Sequence, residues 1–366
     1  KAKMLVPSIG ALVALYAMVF VGIDNPVSLA SLVGAENQMT AWVVLLLAYS
    51  FIASVLPVWT LLQPRDYINS HQLLVGMAAL LLGIFIGQPH MTAPAINHAD
   101  AGAPPIFPFL FVTIACGAIS GFHGLVSSGT TSKQIACAAD ARPIGYGAML
   151  GEGLLALIAT LAVGAGLGDF SVHYHHMPSA PQGVGMFVQG AASFLGALGI
   201  PSNVGQVLVA VLVISFAATS LDTGVRIQRF IIAELGESWN IAALKNRYLG
   251  GGIAVGLPLL LFLAGKEKTL WPLFGAANQM LAGLSLVVVS VWLYRERRPW
   301  AYAAIPMALV LVIAAAALIS KAHTLFATGH FALATVAALL LLLELWIVIE
   351  GAVAVARSRH EAEQPA

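Results

Sequence analysis

The chain has 366 residues, of which 59% are hydrophobic and only 9% charged, with a mean hydropathy of +0.89. A soluble globular domain carries roughly 25% charge, so this composition excludes a soluble enzyme or a nucleic-acid-binding module and describes an all-α polytopic membrane protein whose first partner is the lipid bilayer. The formal net charge of +1 carries no message about acidic partners, because in such a chain the placement of charges matters more than their sum. The two cysteines, Cys116 and Cys137, have neither metal spacing nor a secretory framework and are expected as free thiols. The opening Lys-Ala-Lys before a long apolar run does not resemble a cleavable signal.

About 20 apolar residues are needed to cross a ~30 Å hydrocarbon core. Ten such windows are expected, at Leu5 to Ile23, Ala41 to Leu62, Leu73 to Gly87, Phe107 to Val126, Ile144 to Leu167, Val204 to Ile231, Leu249 to Ala264, Trp271 to Tyr294, Ala301 to Ile319 and Phe331 to Ala356. Gly183 to Ile200 is apolar too, but rich in glycine and alanine, and reads as an interfacial or re-entrant helix. If Lys1 and Lys3 are cytoplasmic and ten spans alternate, 14 lysines and arginines fall inside and only Lys266, Lys268 and Lys321 outside. Both termini are then cytoplasmic, and Arg357 to Ala366 forms a polar tail on the single transmembrane domain of residues 1–366. The outer connections Gln88 to Pro105 and Gly168 to Pro181 carry prolines and histidines, whereas Gln63 to Tyr67, Lys133 to Arg142, Glu234 to Arg247 and Arg295 to Arg298 carry charge inside.

Several polar constellations interrupt these windows. In the second, Pro57 removes a backbone donor and clashes with the preceding turn, so the helix is expected to kink or open. Ser50 and Ser54 lie one turn apart on one side of it, Trp59 follows, and Arg65 with Asp66 stands at the inner mouth. An ordinary proline kink packed between neighbours is the competing reading. The stretch Ser120 to Lys133 (SGFHGLVSSGTTSK) places loosening and polar residues after a lipid-type run, where polar backbone is tolerated only in protein or a wet cavity. His123 and Ser127 share a helix face, and Gly121 lies about 21 Å from an outer start at Phe107, with Ser127 at about 30 Å. The serine-threonine end is therefore either part of a site or only a cytoplasmic helix end, with Thr130 or Thr131 capping the next short helix.

Glu152 falls about 14 Å into its span, where a carboxylate costs about 2.5–3.5 kcal/mol unless protonated or partnered. That suits proton coupling, or alternatively a hydrogen bond that only holds helices together; Gly145, Gly147, Gly151 and Gly153 around it permit close helix approach. Asp222 and Arg226 read as an i,i+4 pair at a cytoplasmic span end, structural or gating, with Arg226 and Arg229 snorkelling. Asn278 and Gln279 lie about 10–12 Å inside the outer surface, closing a polar cavity or bonding another helix. The triplet His173, His175 and His176 beside Tyr174 lacks acidic or cysteine partners and reads as solvated rather than as a metal site. No cofactor is expected.

Six blocks resemble the signature segments of the carbon starvation protein A (CstA) family. They are LPVWTLLQPRDYINS, FPFLFVTIACGAISG, SGFHGLVSSGTTSK, RPIGYGAMLGE, SLDTGVRIQRF and LWPLFGAANQMLAG, which run in family order between about Ala41 and Trp300. The resemblance implies a secondary transporter of the bacterial inner membrane, used under carbon starvation, that imports peptides or small carboxylates such as pyruvate as substrate. Its coupling ion is expected to be a proton. It also implies part of a LeuT-like inverted-repeat fold, in which the first span here closes repeat one and the next five form repeat two. On that mapping Ser54, Pro57, Trp59, Ser120, Gly121, His123 and Ser127 face substrate, Glu152 couples the ion, and Arg65, Asp66, Asp222, Arg226, Asn278 and Gln279 gate or brace. Ser132 stands where the family usually has proline. The family's N-terminal spans are not among the 366 residues, which makes the chain either part of a longer protein or a shortened member. A non-transporting sensor or assembly subunit is the alternative function; an intramembrane serine hydrolase is a further one, without an evident nucleophile motif. Oligomeric state has no signature here.

Overall fold

A computed structural model describes residues 2–95, 106–170, 180–265 and 267–363, and those residues are helical or connecting, with no strand among them. The helices are α1 (Ala2–Asp24), α2 (Ala30–Val33), α3 (Gln38–Val55), α4 (Leu62–Gly87), α5 (Phe111–Ala118), α6 (Gly121–Gly129), α7 (Ala141–Ala165), α8 (Ala180–Gly196), α9 (Ser202–Ser238), α10 (Arg247–Leu263), α11 (Glu267–Arg295), α12 (Ala301–Ala327) and α13 (Phe331–Glu363). Eight are long and apolar enough to cross a membrane by length and composition. Many of their large apolar side chains are exposed, among them Val6, Phe85, Ile305, Leu339 and Trp346, a surface that suits lipid and not water. The protein is a multi-pass membrane protein.

Eight of the expected windows coincide with these long helices. The other two take different forms. Leu249 to Ala264 is the 17-residue α10. Phe107 to Val126 is broken into a kinked stretch at Ile106–Leu110, in which Phe107 is extended, followed by α5 and α6. Two boundaries also move. Gln63 to Tyr67 is not a loop but the first turns of α4, because Pro64 lacks only an N–H that a helix start leaves unpaired anyway. Further along, α9 runs to Ser238, and its 37 residues span about 55 Å, so its polar end extends past any hydrocarbon core.

The chain packs as two compact units, one within Lys1–Asp100 and Met149–Leu263, the other within Ala101–Ala148 and Ala264–Ala366. The first has a core of Met77 and Leu80 from α4, Ile158 and Ala162 from α7, Ala191, Phe194 and Leu195 from α8, and Val209 from α9. Small residues allow it: a Cβ on Gly83 would strike the Phe194 carbonyl, and one on Gly190 the Ala162 carbonyl. Thus α8, expected as an interfacial or re-entrant helix, packs against both α4 and α7. In the second unit α11 and α12 supply most of a core that includes Ala276, Met280, Leu284, Leu311, Ala314 and Leu318, flanked by Val112 and Ala337.

Candidate functional site

In the first unit, α3 stops at Val55 because Leu56 is extended and Pro57 follows. The chain turns through Leu61 and re-enters as α4. A helix that ends this way leaves carbonyls without intrahelical partners. Arg226 of α9 supplies the missing donors: Nη1 donates to the Leu56 carbonyl at 2.9 Å and Nη2 to the Ala53 carbonyl. The expected snorkelling of Arg226 is therefore wrong, since the residue is 3% exposed and is held inward by the end of α3.

Asp222, one turn earlier on α9 and 1% exposed, does not pair with Arg226. Its carboxylate accepts from Ser50 Oγ at 2.8 Å and from Arg65 Nη1. Arg65 Nη1 also donates to Tyr49 Oη at 3.0 Å, and Nη2 approaches Asp66 Oδ1 at 3.4 Å. The expected i,i+4 pair is thus replaced by an ion pair between α4 and α9, because α9 turns Asp222 toward the start of α4 while Arg226 reaches α3. The polar stripe continues along both helices. Asn69 Nδ2 donates to Thr219 Oγ1 at 2.6 Å, and Gln72, fully buried, has no hydrogen-bond partner for its amide among the described residues.

The other substrate-side expectations at this corner divide. Ser54 is buried and donates to the Phe51 carbonyl at 2.8 Å, a bond within its own helix. Pro57 and Trp59 are exposed.

In the second unit, the break between α5 and α6 is built by side chains. Ser120 caps α6 by accepting from Phe122 N–H at 3.2 Å, and Asn278 of α11 accepts from the same N–H at 3.0 Å while exchanging hydrogen bonds with Ser120 Oγ. Gly121 is where α6 touches α11: a Cβ there would lie 2.5 Å from both the Asn278 carbonyl oxygen and Leu281 Cβ. Gly121 is thus a packing glycine. His123 and Ser127 are exposed, and Ser127 donates to the Gly124 carbonyl at 3.0 Å. Thr130 stands at the cap position of the next short turn without a side-chain capping bond. Gln279 is buried with an unpartnered Oε1.

Glu152 is half-buried, not enclosed. The buried part of α7 is its C-terminal half, Ile158 to Ala165, and a Cβ on Gly145, Gly147, Gly151 or Gly153 would meet nothing within 4 Å among the described residues. Besides Asp222, Glu344 of α13 is a buried acid, 4% exposed, its Oε2 unpartnered among the described residues. Its place inside the apolar run LLLLLELWIVIE is the signal that marks it in the sequence. Asn69, Gln72 and Thr219 were also missed, although polar residues at 65, 69 and 72 and at 215, 219, 222 and 226 recur at helical spacing. The histidine cluster at 173–176 lies outside the described residues, among which no group could hold a metal ion.

The sequence profile of the family described as Carbon starvation protein CstA matches residues 1–181 and 169–317. The chain belongs to the CstA family. Among CstA-family relatives, the peptide transporter CstA of Helicobacter pylori is 32% identical over 351 residues, covering 78% of this chain and 50% of its own length. The Escherichia coli peptide transporter CstA is 33% identical over 336 residues, with 73% and 48% covered. The pyruvate/proton symporter BtsT of Escherichia coli is 33% identical over 332 residues, with 69% and 46% covered. The chain spans about half the length of the curated relatives it matches. No solved structure matches it significantly. The CstA profile takes in every residue of the buried cluster around Asp222, whereas Glu344 lies beyond its end at residue 317.

Proposed function

We propose that this CstA-family chain is the transport domain, or part of it, of a secondary transporter of the bacterial inner membrane that imports peptides or small carboxylates such as pyruvate, coupled to protons. One observation carries this reading: Arg65, Asp222 and Arg226 are drawn inward among apolar helices where α3 breaks off and α4 begins. Ionisable residues in such segments are costly and mark pathways for ions or substrates, and interrupted helices are where transporters place their sites. The names of the relatives, peptide transporters and a pyruvate/proton symporter, point the same way.

In this reading α10 and the α5–α6 pair complete ten crossings, both termini are cytoplasmic, and the 14-to-3 division of lysine and arginine supports that orientation. The two units work as one transport domain that supplies part of a LeuT-like repeat fold. Glu152 on α7, half-buried, is the coupling residue. Uptake of labelled pyruvate and alanyl-alanine into proteoliposomes, with and without an imposed pH gradient, tests the function. Accumulation that follows the gradient is expected, and absence of uptake by the full-length protein sinks it. Glu152→Gln is expected to abolish gradient-driven accumulation while leaving exchange; unchanged accumulation removes Glu152 from the coupling.

A further inference from the structure

The hydrogen bonds at the corner of α3 and α4 leave one edge of a guanidinium unfilled. Arg65 spends Nη1 on Tyr49 Oη and Asp222 Oδ2. Among the described residues its Nη2 has only the long 3.4 Å approach to Asp66, and its Nε–H, shielded from solvent, has no acceptor. In arginine the Nε–H and one Nη2–H point the same way and form the fork that a carboxylate fills with two parallel bonds. Asp222 does not fill it, because one of its oxygens is committed to Ser50 Oγ and the other to Nη1.

The local charge points the same way. Arg226 is satisfied by the carbonyls of Ala53 and Leu56, which carry no net charge, and its Nε–H also lacks an acceptor. Two arginines with largely enclosed side chains therefore face one enclosed aspartate. Asp66, 3.4 Å from Arg65 Nη2 and with its side chain 42% exposed, balances the second arginine only while that long contact lasts. With Asp66 turned away, two arginines and one aspartate stand beside an unpaired planar fork, which fits an anion with two coplanar oxygens. Ser50 and Asp222 are buried, and Arg65 and Asp66 are the more exposed members of the cluster, with side chains 19% and 42% exposed.

We propose that the Nε–Nη2 edge of Arg65 binds the carboxylate of the transported substrate, with Arg226 offsetting its charge. The assignment rests on the transport reading and names the group that a peptide and pyruvate share. Asp66 yields its long contact when the substrate arrives, while Tyr49 and Asp222 hold the guanidinium plane in place.

The test is competition in proteoliposomes holding the full-length protein. Labelled pyruvate and labelled alanyl-alanine are offered against unlabelled pyruvate, pyruvamide, alanyl-alanine and alanyl-alaninamide. The acids are expected to compete, and each amide to be weaker by about tenfold to a hundredfold, as loss of a charged hydrogen-bonded pair requires. Arg65→Lys, which keeps the charge but not the fork, is expected to raise the half-saturating substrate concentration by about tenfold. Equal competition by acid and amide overturns the assignment and leaves transport standing. A wild-type half-saturation in Arg65→Lys overturns it too. The acid–amide comparison uses the unaltered protein, so it decides the matter even if Arg65→Lys fails to fold. If the wild type takes up neither compound, the transport reading falls and this assignment with it.

Discussion

Replacement of Gly121 by alanine is a direct test of how α6 is held. The added methyl would sit 2.5 Å from the Asn278 carbonyl oxygen and 2.5 Å from Leu281 Cβ, whereas carbon atoms rest at about 3.5–4.0 Å. The α6 and α11 backbones must then separate by about 1 Å. Overpacking of that kind costs about 1–3 kcal/mol. The same shift lengthens the 3.0 Å bond from Phe122 N–H to Asn278 Oδ1, a further loss of about 1 kcal/mol. Alanine returns about 1 kcal/mol through its better helix propensity, so the net expectation is a destabilisation of about 1–3 kcal/mol. Two companions bracket it. At Gly124 the methyl meets mainly the Ser285 hydroxyl, at 2.6 Å, which can turn away, so Gly124→Ala is expected near neutral. At Gly252 of α10 it meets nothing within 4 Å, so Gly252→Ala is expected to gain up to about 1 kcal/mol. Equilibrium unfolding in mixed micelles, followed by circular dichroism, ranks the three. A Gly121→Ala protein as stable as wild type, or less damaged than Gly252→Ala, refutes the packing role.

Three further outcomes are expected. Arg226→Met removes the donors to the Ala53 and Leu56 carbonyls and should cost about 2 kcal/mol after the relief of burying one charge fewer; faster hydrogen exchange around residues 53–61 is the readout, and unchanged exchange there speaks against the capping role. Glu344→Leu exchanges a buried carboxyl with an unpartnered oxygen for an apolar side chain and should raise stability by about 1–3 kcal/mol; a fall in melting temperature instead means that Glu344 has a partner that holds the helices together. Asn278→Ala takes one of two acceptors from Phe122 N–H and should cost about 1 kcal/mol, less than Ser120 and Asn278 replaced together, with an additive double mutant contradicting a shared node.

Much of the architecture was legible because a membrane imposes one dominant rule, a run of apolar residues of fixed length. Windows such as Ala301 to Ile319 and Phe331 to Ala356 needed nothing more. Hydropathy is blind to hydrogen bonding, however, and errors arose where backbone partners decide. Phe107 to Val126 reads as one window, yet Ser120 offers a cap in mid-span and Asn278, 158 residues away, completes it. The charged Gln63 to Tyr67 reads as a loop, yet Pro64 fits a helix start. At the site the residue types were visible but their partners were not. Asp222 and Arg226 are neighbours on one helix face, and local spacing made them a pair. Only the packing of α9 between α3 and α4 sends one to Arg65 and the other to the end of α3. Depth arithmetic fared unevenly, since it gives position along a helix and not direction around it; hence Glu152 proves half-buried and Glu344 was passed over.

The Arg226 bonds to α3 join residues 170 and 173 positions apart, and the Arg65–Asp222 pair joins residues 157 apart. A chain synthesised at about 5–20 residues per second therefore inserts α3 and α4 on the order of ten seconds or more before α9 emerges. Through that interval Arg65 has no Asp222, and the carbonyls at the end of α3 have no donor. The corner that holds the charged cluster is among the last parts of the first unit to become whole, so a ribosome stalled before α9, or a deletion that removes it, leaves an unpaired arginine at a frayed helix end.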